Sequence, residues 1–199
     1  MPYQFTFKIN NQIQFQAFLQ TNRCICISKN GNRCGKRVVI GAPYCYIHLL
    51  YQKHLRVEES NIPDAGIGLF AMDKSEPDNA IIFRPGDKII TYDGQVIDND
   101  ELVRRYTVNY TAPYSIKIKP DRYEDAALER GAGSLLNHAN KSRSNCEFVV
   151  SKNNRDKSLN DLVFIRAIKN IRNHQELLID YGNDYDFDNE TTNTTKYKR

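Results

Sequence analysis

Two tyrosines, an Asn-His pair and a cluster of thiols stand in this sequence where chemistry can be done. In "ELLIDYGNDY" (176–185) two leucines and an isoleucine run straight into Asp180, Tyr181 and Gly182, which puts a phenol at the end of an apolar strand. In "KIITYDGQVI" (88–97) Tyr92 likewise enters a turn at Asp93 and Gly94. "LLNHANKSRSNCEF" (135–148) brings Asn137-His138 and Asn145-Cys146, and "GIGLFA" (66–71) brings two glycines that let backbone pass close to a ligand. Taken singly, each has a structural explanation: edge aromatics, a hydrogen-bonded cap, turns, a buried thiol.

The thiols form a pattern of their own. Cys24, Cys34, Cys45 and His48 follow one another after nine, ten and two residues, and the C-x-x-H pair can put a thiolate and an imidazole on one ion within a turn. Three thiolates and one imidazole are a closed tetrahedral set for structural zinc, with no position left for catalysis. Spacing alone does not exclude Cys26 as a ligand. The segment resembles a small Cys/Cys/Cys/His zinc motif of large DNA viruses and some eukaryotes, and that resemblance implies Cys24 as the first ligand. A segment so small buries little surface, so metal binding should supply much of its folding free energy.

The elements that must hold these residues are legible in outline. Residues 3–19 alternate around "NN" at 10 and 11, the pattern of a β-hairpin. From about residue 57 short strands alternate with Gly, Pro and Asn/Asp turns, with one helix expected near 98–107. The 199 residues suit one larger domain with a small module. The organisation expected is a hairpin over 1–20, a zinc module over 21–50, a strand-rich domain over 57–182 and a polar tail over 183–199. No apolar run approaches the roughly 18 to 20 residues of a membrane span, and "MPYQFTFKINNQ" lacks the regions of a signal peptide, so a soluble, intracellular protein is expected. Through residue 60 eight Lys and Arg stand against Glu58 and Glu59, whereas the remainder is slightly acidic. A basic front end suits an anionic partner such as nucleic acid, and an acidic body a cationic one.

In order and spacing, the four patches outside the thiol cluster resemble the SET-domain family of protein lysine methyltransferases. Family members carry G-x-G-x-x-A, then Y-x-G-E-x-I, then an N-H-S-x-x-P-N-C-like segment, then E-L-x-x-D-Y-G. Here these read Gly66 to Ala71, Tyr92 to Ile97, Asn137-His138 with Asn145-Cys146, and Glu176 to Gly182. The resemblance spans roughly residues 57–182. It implies a mainly β fold with few short helices, built of small antiparallel sheets, in which the last motif threads beneath a loop as a pseudoknot.

The same resemblance implies function. S-adenosylmethionine would be held by Gly66, Ile67, Gly68, Leu69, Tyr114, Asn137 and His138, and a lysine would enter from the opposite face. Tyr181 would orient the transferring methyl through weak C–H to oxygen contacts. Tyr92 is the expected channel tyrosine, and Phe148 and Ile179 fall near positions that influence how many methyl groups are added. A histone tail is the expected substrate class, and with the zinc motif a viral protein acting on host chromatin in the nucleus is expected. The alternatives are a catalytically weak SET fold that binds chromatin or nucleic acid, and a methyltransferase of a non-histone protein. The sequence also departs from the family. Ala139, Asn140 and Ser144 replace common residues, Gln95 replaces an acid, and no cysteine follows Cys146. The zinc segment many members carry after the last motif is therefore missing, and Tyr185, Phe187 and Tyr197 are the residues expected to close the channel.

Overall fold

Strands β1 (Tyr3–Ile9) and β2 (Gln12–Leu19) pair antiparallel from Tyr3↔Leu19 to Ile9↔Gln12, with a register shift between Phe7 and Lys8. The structure, a computed structural model, describes residues 3–9, 12–19, 23–28, 30–38, 43–106, 112–151 and 163–182. The expected turn at 10–11 and the tail aromatics Tyr185, Phe187 and Tyr197 lie outside the described residues. Next comes helix α1 (Tyr46–Lys53), which buries Leu49 and Leu50. His54 ends it in the left-handed conformation (φ 52°), where its amide meets the Leu49 and Leu50 carbonyls.

The body follows in short pieces. It comprises β3 (Leu55–Glu59), β4 (Ile67–Ala71), β5 (Ile81–Phe83), β6 (Lys88–Thr91), β7 (Gln95–Ile97), α2 (Asn99–Tyr106), β8 (Ser115–Lys119), β9 (Arg122–Asp125), a 3-10 turn (Ala132–Leu135), β10 (Asn137–His138), β11 (Cys146–Val150), β12 (Val163–Ala167), β13 (Ile171–Arg172) and β14 (Leu178–Ile179). Among the described residues the sheets are β1-β2, β3-β4, β13-β5, β7-β9-β8 and the five-stranded β10-β14-β11-β12-β6. Leu49, Leu55, Leu69, Ile90, Ile165, Ile171, Leu177 and Ile179 pack into one core between them. No helix among the described residues is long and apolar enough to cross a membrane.

The mainly β fold of small sheets is as expected, and the threaded last motif adds parallel pairing to it. β14 lies between β10 and β11 and runs parallel to both, with Asn137↔Leu178, His138↔Ile179 and Cys146↔Ile179 as partners. Parallel pairing follows from the threading, because the chain returns from far away to fill the gap between two strands joined by a short loop. Asn145 fixes that insertion from the side. Its amide nitrogen donates to the Glu176 carbonyl (2.8 Å), and its oxygen accepts from the Leu178 amide (2.8 Å).

Helix α2 begins as its sequence directs. The Asp98 carboxylate accepts from the Glu101 amide at 2.9 Å, Asp100 and Glu101 occupy the first turn, and Arg104 and Arg105 the last. Arg105 binds the helix to sheet β7-β9-β8, donating to Asp125, Glu101 and the Gln95 side-chain oxygen, each at 2.6 Å. Asp125 is fully buried and also accepts from the Tyr106 hydroxyl at 2.7 Å. Arg104 first and Arg105 second hold the Glu101 carboxyl down at about 2. A carboxyl depressed in the folded chain stabilises fully above its unfolded value and ceases to do so as pH falls toward the folded one. The urea midpoint is thus expected to decline between roughly pH 5 and 2, and Glu101→Gln should remove part of that decline. Identical acid limbs in both proteins would refute the role assigned to Glu101.

Candidate active site and metal centre

Three of the distant patches meet on one carboxylate. Glu176 is 4% exposed, accepts from the Ser60 hydroxyl at 2.7 Å and from the Asn61 amide at 2.9 Å, and lies 3.2 Å from the Asn137 side-chain nitrogen. That nitrogen also donates to the Ile67 carbonyl at 3.0 Å. The carboxylate reaches this position because Gly68 carries no side chain. A Cβ there would overlap Oε1 of Glu176, and would stand 3.1 Å from its Cδ and 3.2 Å from Nδ2 of Asn137. Gly66 adopts φ 72° with open space beside it. The backbone of β4 is bonded to the last motif as well, the Leu69 carbonyl accepting from the Leu177 amide at 2.8 Å.

Tyr181 occupies the junction of β10 and β14. Its amide donates to Nδ1 of His138 at 3.1 Å, which leaves the ring proton of a neutral imidazole on Nε2. The two rings lie 5.3 Å apart at 59°. The Tyr181 hydroxyl donates to the Leu136 carbonyl at 2.7 Å. Asp180 and Gly182 turn the chain immediately around it: the Asp180 carboxylate accepts from the Gly182 amide at 2.9 Å, and Gly182 adopts φ 90°. A phenol at the end of an apolar strand is therefore held by both its main chain and its side chain.

A cavity of about 450 Å³ opens beside it, lined by Tyr92, Phe148, Tyr181, Leu136 and, from β8, Ser115 and Lys117, with Tyr114 at its edge. Tyr92 is buried, meets Phe148 edge to face at 5.7 Å and donates its hydroxyl to the Tyr114 carbonyl at 2.9 Å. Burial raises the pKa of its phenol well above the ordinary value of 10, so it keeps its proton. The Arg130 guanidinium stacks on Tyr114 at 4.2 Å from the ring centre.

The structure thus brings together Tyr92, Tyr114, Phe148 and Tyr181 around the cavity, and Gly66, Ile67, Gly68, Asn137 and His138 at the β4–β10 junction. It does not bring Ile179 to the cavity. That side chain is 1% exposed and packs in the main core, as does Leu69. With β14 only two residues long and paired on both edges, its side chains are fixed by the insertion rather than by a run of alternation. Glu176 and Asn145, which the sequence offers only as motif residues without a role, and Ser60, which it does not single out, are structural members of the site. A lone acid opening the apolar "ELLI" was the available signal for Glu176, and nothing in the sequence pointed to Ser60.

The thiol cluster assembles separately. A tight turn with Gly31 at φ 78° pairs Ile27 with Arg33 and Arg23 with Arg37. The Arg23 and Arg33 side chains staple that turn, donating to the Cys34 carbonyl at 2.7 Å and to the Cys24 carbonyl at 3.0 Å. Cys45 immediately precedes α1 and His48 stands on it. The ligand atoms of Cys24, Cys34, Cys45 and His48 all lie within 4.8 Å of one another. Tetrahedral zinc with sulfur at ~2.3 Å sets neighbouring ligands about 3.8 Å apart, so the donor set fits that ion. Cys26 is excluded by its own partner: its thiol donates to the Gln52 oxygen at 3.0 Å. Burial and the neighbouring Cys24 push its pKa up to about 11, so it stays a thiol. One zinc per chain is expected by elemental analysis. Cys45→Ala or a strong chelator should lose it and unfold residues 23–53, whereas Cys26→Ser should retain it, and loss of metal in the Cys26 variant would overturn this ligand set.

A model of the SET domain matches residues 66–182 of this chain. Among solved structures, the chain is similar to Chaetomium thermophilum Polycomb Repressive Complex 2 bound to GSK126, at 26% identity over 67% of this chain and 16% of that one, with TM-score 0.54. It is also similar to ctPRC2 in complex with H3K27me3 and H3K27M, at 25% identity over 65% and 14% of the two chains, with TM-score 0.52. A third likeness, to ctPRC2 in an autoinhibited conformation bound to S-adenosylmethionine, is 24% identical over 67% and 16%, with TM-score 0.53, and shows the fold alone. The chain spans about a sixth of the length of these solved chains. Comparison with curated protein sequences gave no match.

Proposed function

Because the chain belongs to the SET-domain family, we propose that it transfers methyl groups from S-adenosylmethionine to the ε-amine of a protein lysine, with a histone as the substrate class. The observation that supports this most is the position of Tyr181. Its main chain is tied to His138 and its hydroxyl to Leu136, while its ring forms a wall of the aromatic cavity. The residues present fit the cofactor: Gly66 leaves open space where a side chain would stand, and Asn137 joins β4 to the 137–138 pair beside Tyr181. In this reading the main chain of Gly66 to Leu69 together with Asn137 and His138 holds S-adenosylmethionine, and Tyr114 holds its edge.

When bound, that cofactor supplies an electrophilic methyl group on a sulfonium. The chain's part is alignment and an uncharged acceptor. A lysine amine with a reference pKa near 10.4 costs about 4.6 kcal/mol to present unprotonated at pH 7. Tyr92 and Phe148 wall the entering amine from water, which lowers its pKa and sends its proton to solvent before transfer. Tyr92, buried and protonated, acts as a wall and a donor rather than a base. Tyr181 places its oxygen, fixed by Leu136, against the in-line path. Phe148 carries no hydroxyl to hold a water, which leaves room for more than one methylation, and product mass spectra with monomethyl lysine alone would overturn this.

The finer assignments belong to the same proposal. Histones are favoured because one of the similar structures is a complex with H3K27me3 and H3K27M. A viral protein working on chromatin in the host nucleus is the proposed setting, and the basic residues 1–60 are its proposed contact with nucleic acid, which salt titration of DNA binding would test. The decisive assay offers radiolabelled S-adenosylmethionine with core histones and with a cell lysate. Label on a protein lysine supports the reading; none on either substrate refutes it.

A further inference from the structure

Of the described residues lining the cavity, Lys117 is the only charged one. It is exposed on β8, which among the described residues pairs with β9 alone and so forms an edge of its sheet. Two residues along, past an irregularity in the register, Lys119 lies exposed opposite the exposed Arg122 of β9. The acids of this sheet are turned away from it. Glu124 and Asp125 are fully buried, Glu124 accepting from the Gly94 and Val163 amides, Asp125 from Arg105 and Tyr106. Asp121, in the β8–β9 turn, accepts from the Asn99 amide. The neighbouring residues 107–111, "TVNYT", carry no charge.

A second observation falls on the same strand face. Ser115 lines the cavity two residues before Lys117, and its hydroxyl oxygen is buried with no hydrogen-bond partner. Buried hydroxyls are nearly always satisfied, and a polar group of a molecule in the cavity is within the reach of this one. We infer that β8 recognises the substrate chain beside the target lysine, Ser115 through its hydroxyl and Lys117 by pairing with a carboxylate. The preferred substrate is then a lysine with an Asp or Glu close by in sequence, rather than one in an arginine-rich stretch. This rests on the methyl-transfer reading and, within it, directs the enzyme away from the basic stretches of a histone tail toward lysines that have an acidic neighbour.

The test uses three otherwise identical lysine peptides flanked by Glu, Gln or Arg, assayed for kcat/KM and, separately, for binding by fluorescence anisotropy. An exposed pair at a rim changes affinity by up to about fivefold, and more salt reduces it. The wild type should favour the Glu peptide over the Arg peptide about fivefold in both readouts, Lys117→Glu should invert the ratio, and Lys74→Glu, remote on the surface, should keep it. Ser115→Ala should raise KM for all three peptides with the ratio kept. Methylation of all three peptides at equal efficiency overturns the inference and leaves the methyl-transfer reading standing. Glu-selective binding without any methylation does the reverse: it supports the recognition and removes the chemistry.

Discussion

Replacing Gly68 with alanine is expected to abolish methyl transfer and to lower stability by about 3–5 kcal/mol. The added methyl overlaps the Glu176 carboxylate, which cannot swing into solvent because it is 4% exposed and held by Ser60, Asn61 and Asn137. Hydrogen bonds to a buried charged group are worth roughly 1.5–3 kcal/mol each, and moving the carboxylate breaks several together. The disturbance passes to the site through Asn137, whose side chain holds the Ile67 carbonyl. Glu176→Ala alone should also destabilise, yet in the double variant the added methyl meets only the Asn137 side-chain nitrogen, at 3.2 Å. Its loss should therefore be smaller than the sum of the single losses, the mark of two residues sharing one contact. Urea unfolding of the four proteins measures this, and additive losses would show that the contact is absent.

The Tyr181→Phe variant should fold and lose about a hundredfold in kcat, because misplacing a reacting group by about 1 Å costs that order of rate. Only the hydroxyl and its bond to the Leu136 carbonyl disappear, while the amide bond to His138 is a main-chain contact and survives. Stability should fall by about 1 kcal/mol, the ordinary net worth of one hydrogen bond. A loss confined to KM would mean that the phenol binds substrate without orienting the transfer. Undiminished kcat with an unchanged fold would remove Tyr181 from the site.

How far the sequence discloses this site depends on what each residue's position is made of. Tyr92, Asn137, His138 and Tyr181 were legible because each sits in a motif that resembles one of the SET-domain family, and that resemblance implies their meeting. Helix α2 was legible to within a residue at each end, since Asp98, the early acids and the late arginines are local signals. The parallel insertion of β14 was not, because strands of two residues have no period and their partners lie about forty residues away. Glu176 stayed hidden for a related reason: burying its charge depends on Ser60 and Gly68, far off in the chain. Spacing leaves Cys24 and Cys26 equivalent, and the fold separates them by turning the Cys24 sulfur toward His48 and the Cys26 thiol toward Gln52.

The threading of β14 has a consequence for the life of the protein. While a ribosome still holds residues after 175, the gap between Asn137 and Cys146 stands empty and Tyr181 has not been delivered. A chain that stops before residue 176 therefore lacks both the strand that joins β10 to β11 and the phenol beside the cavity, however well the rest has folded.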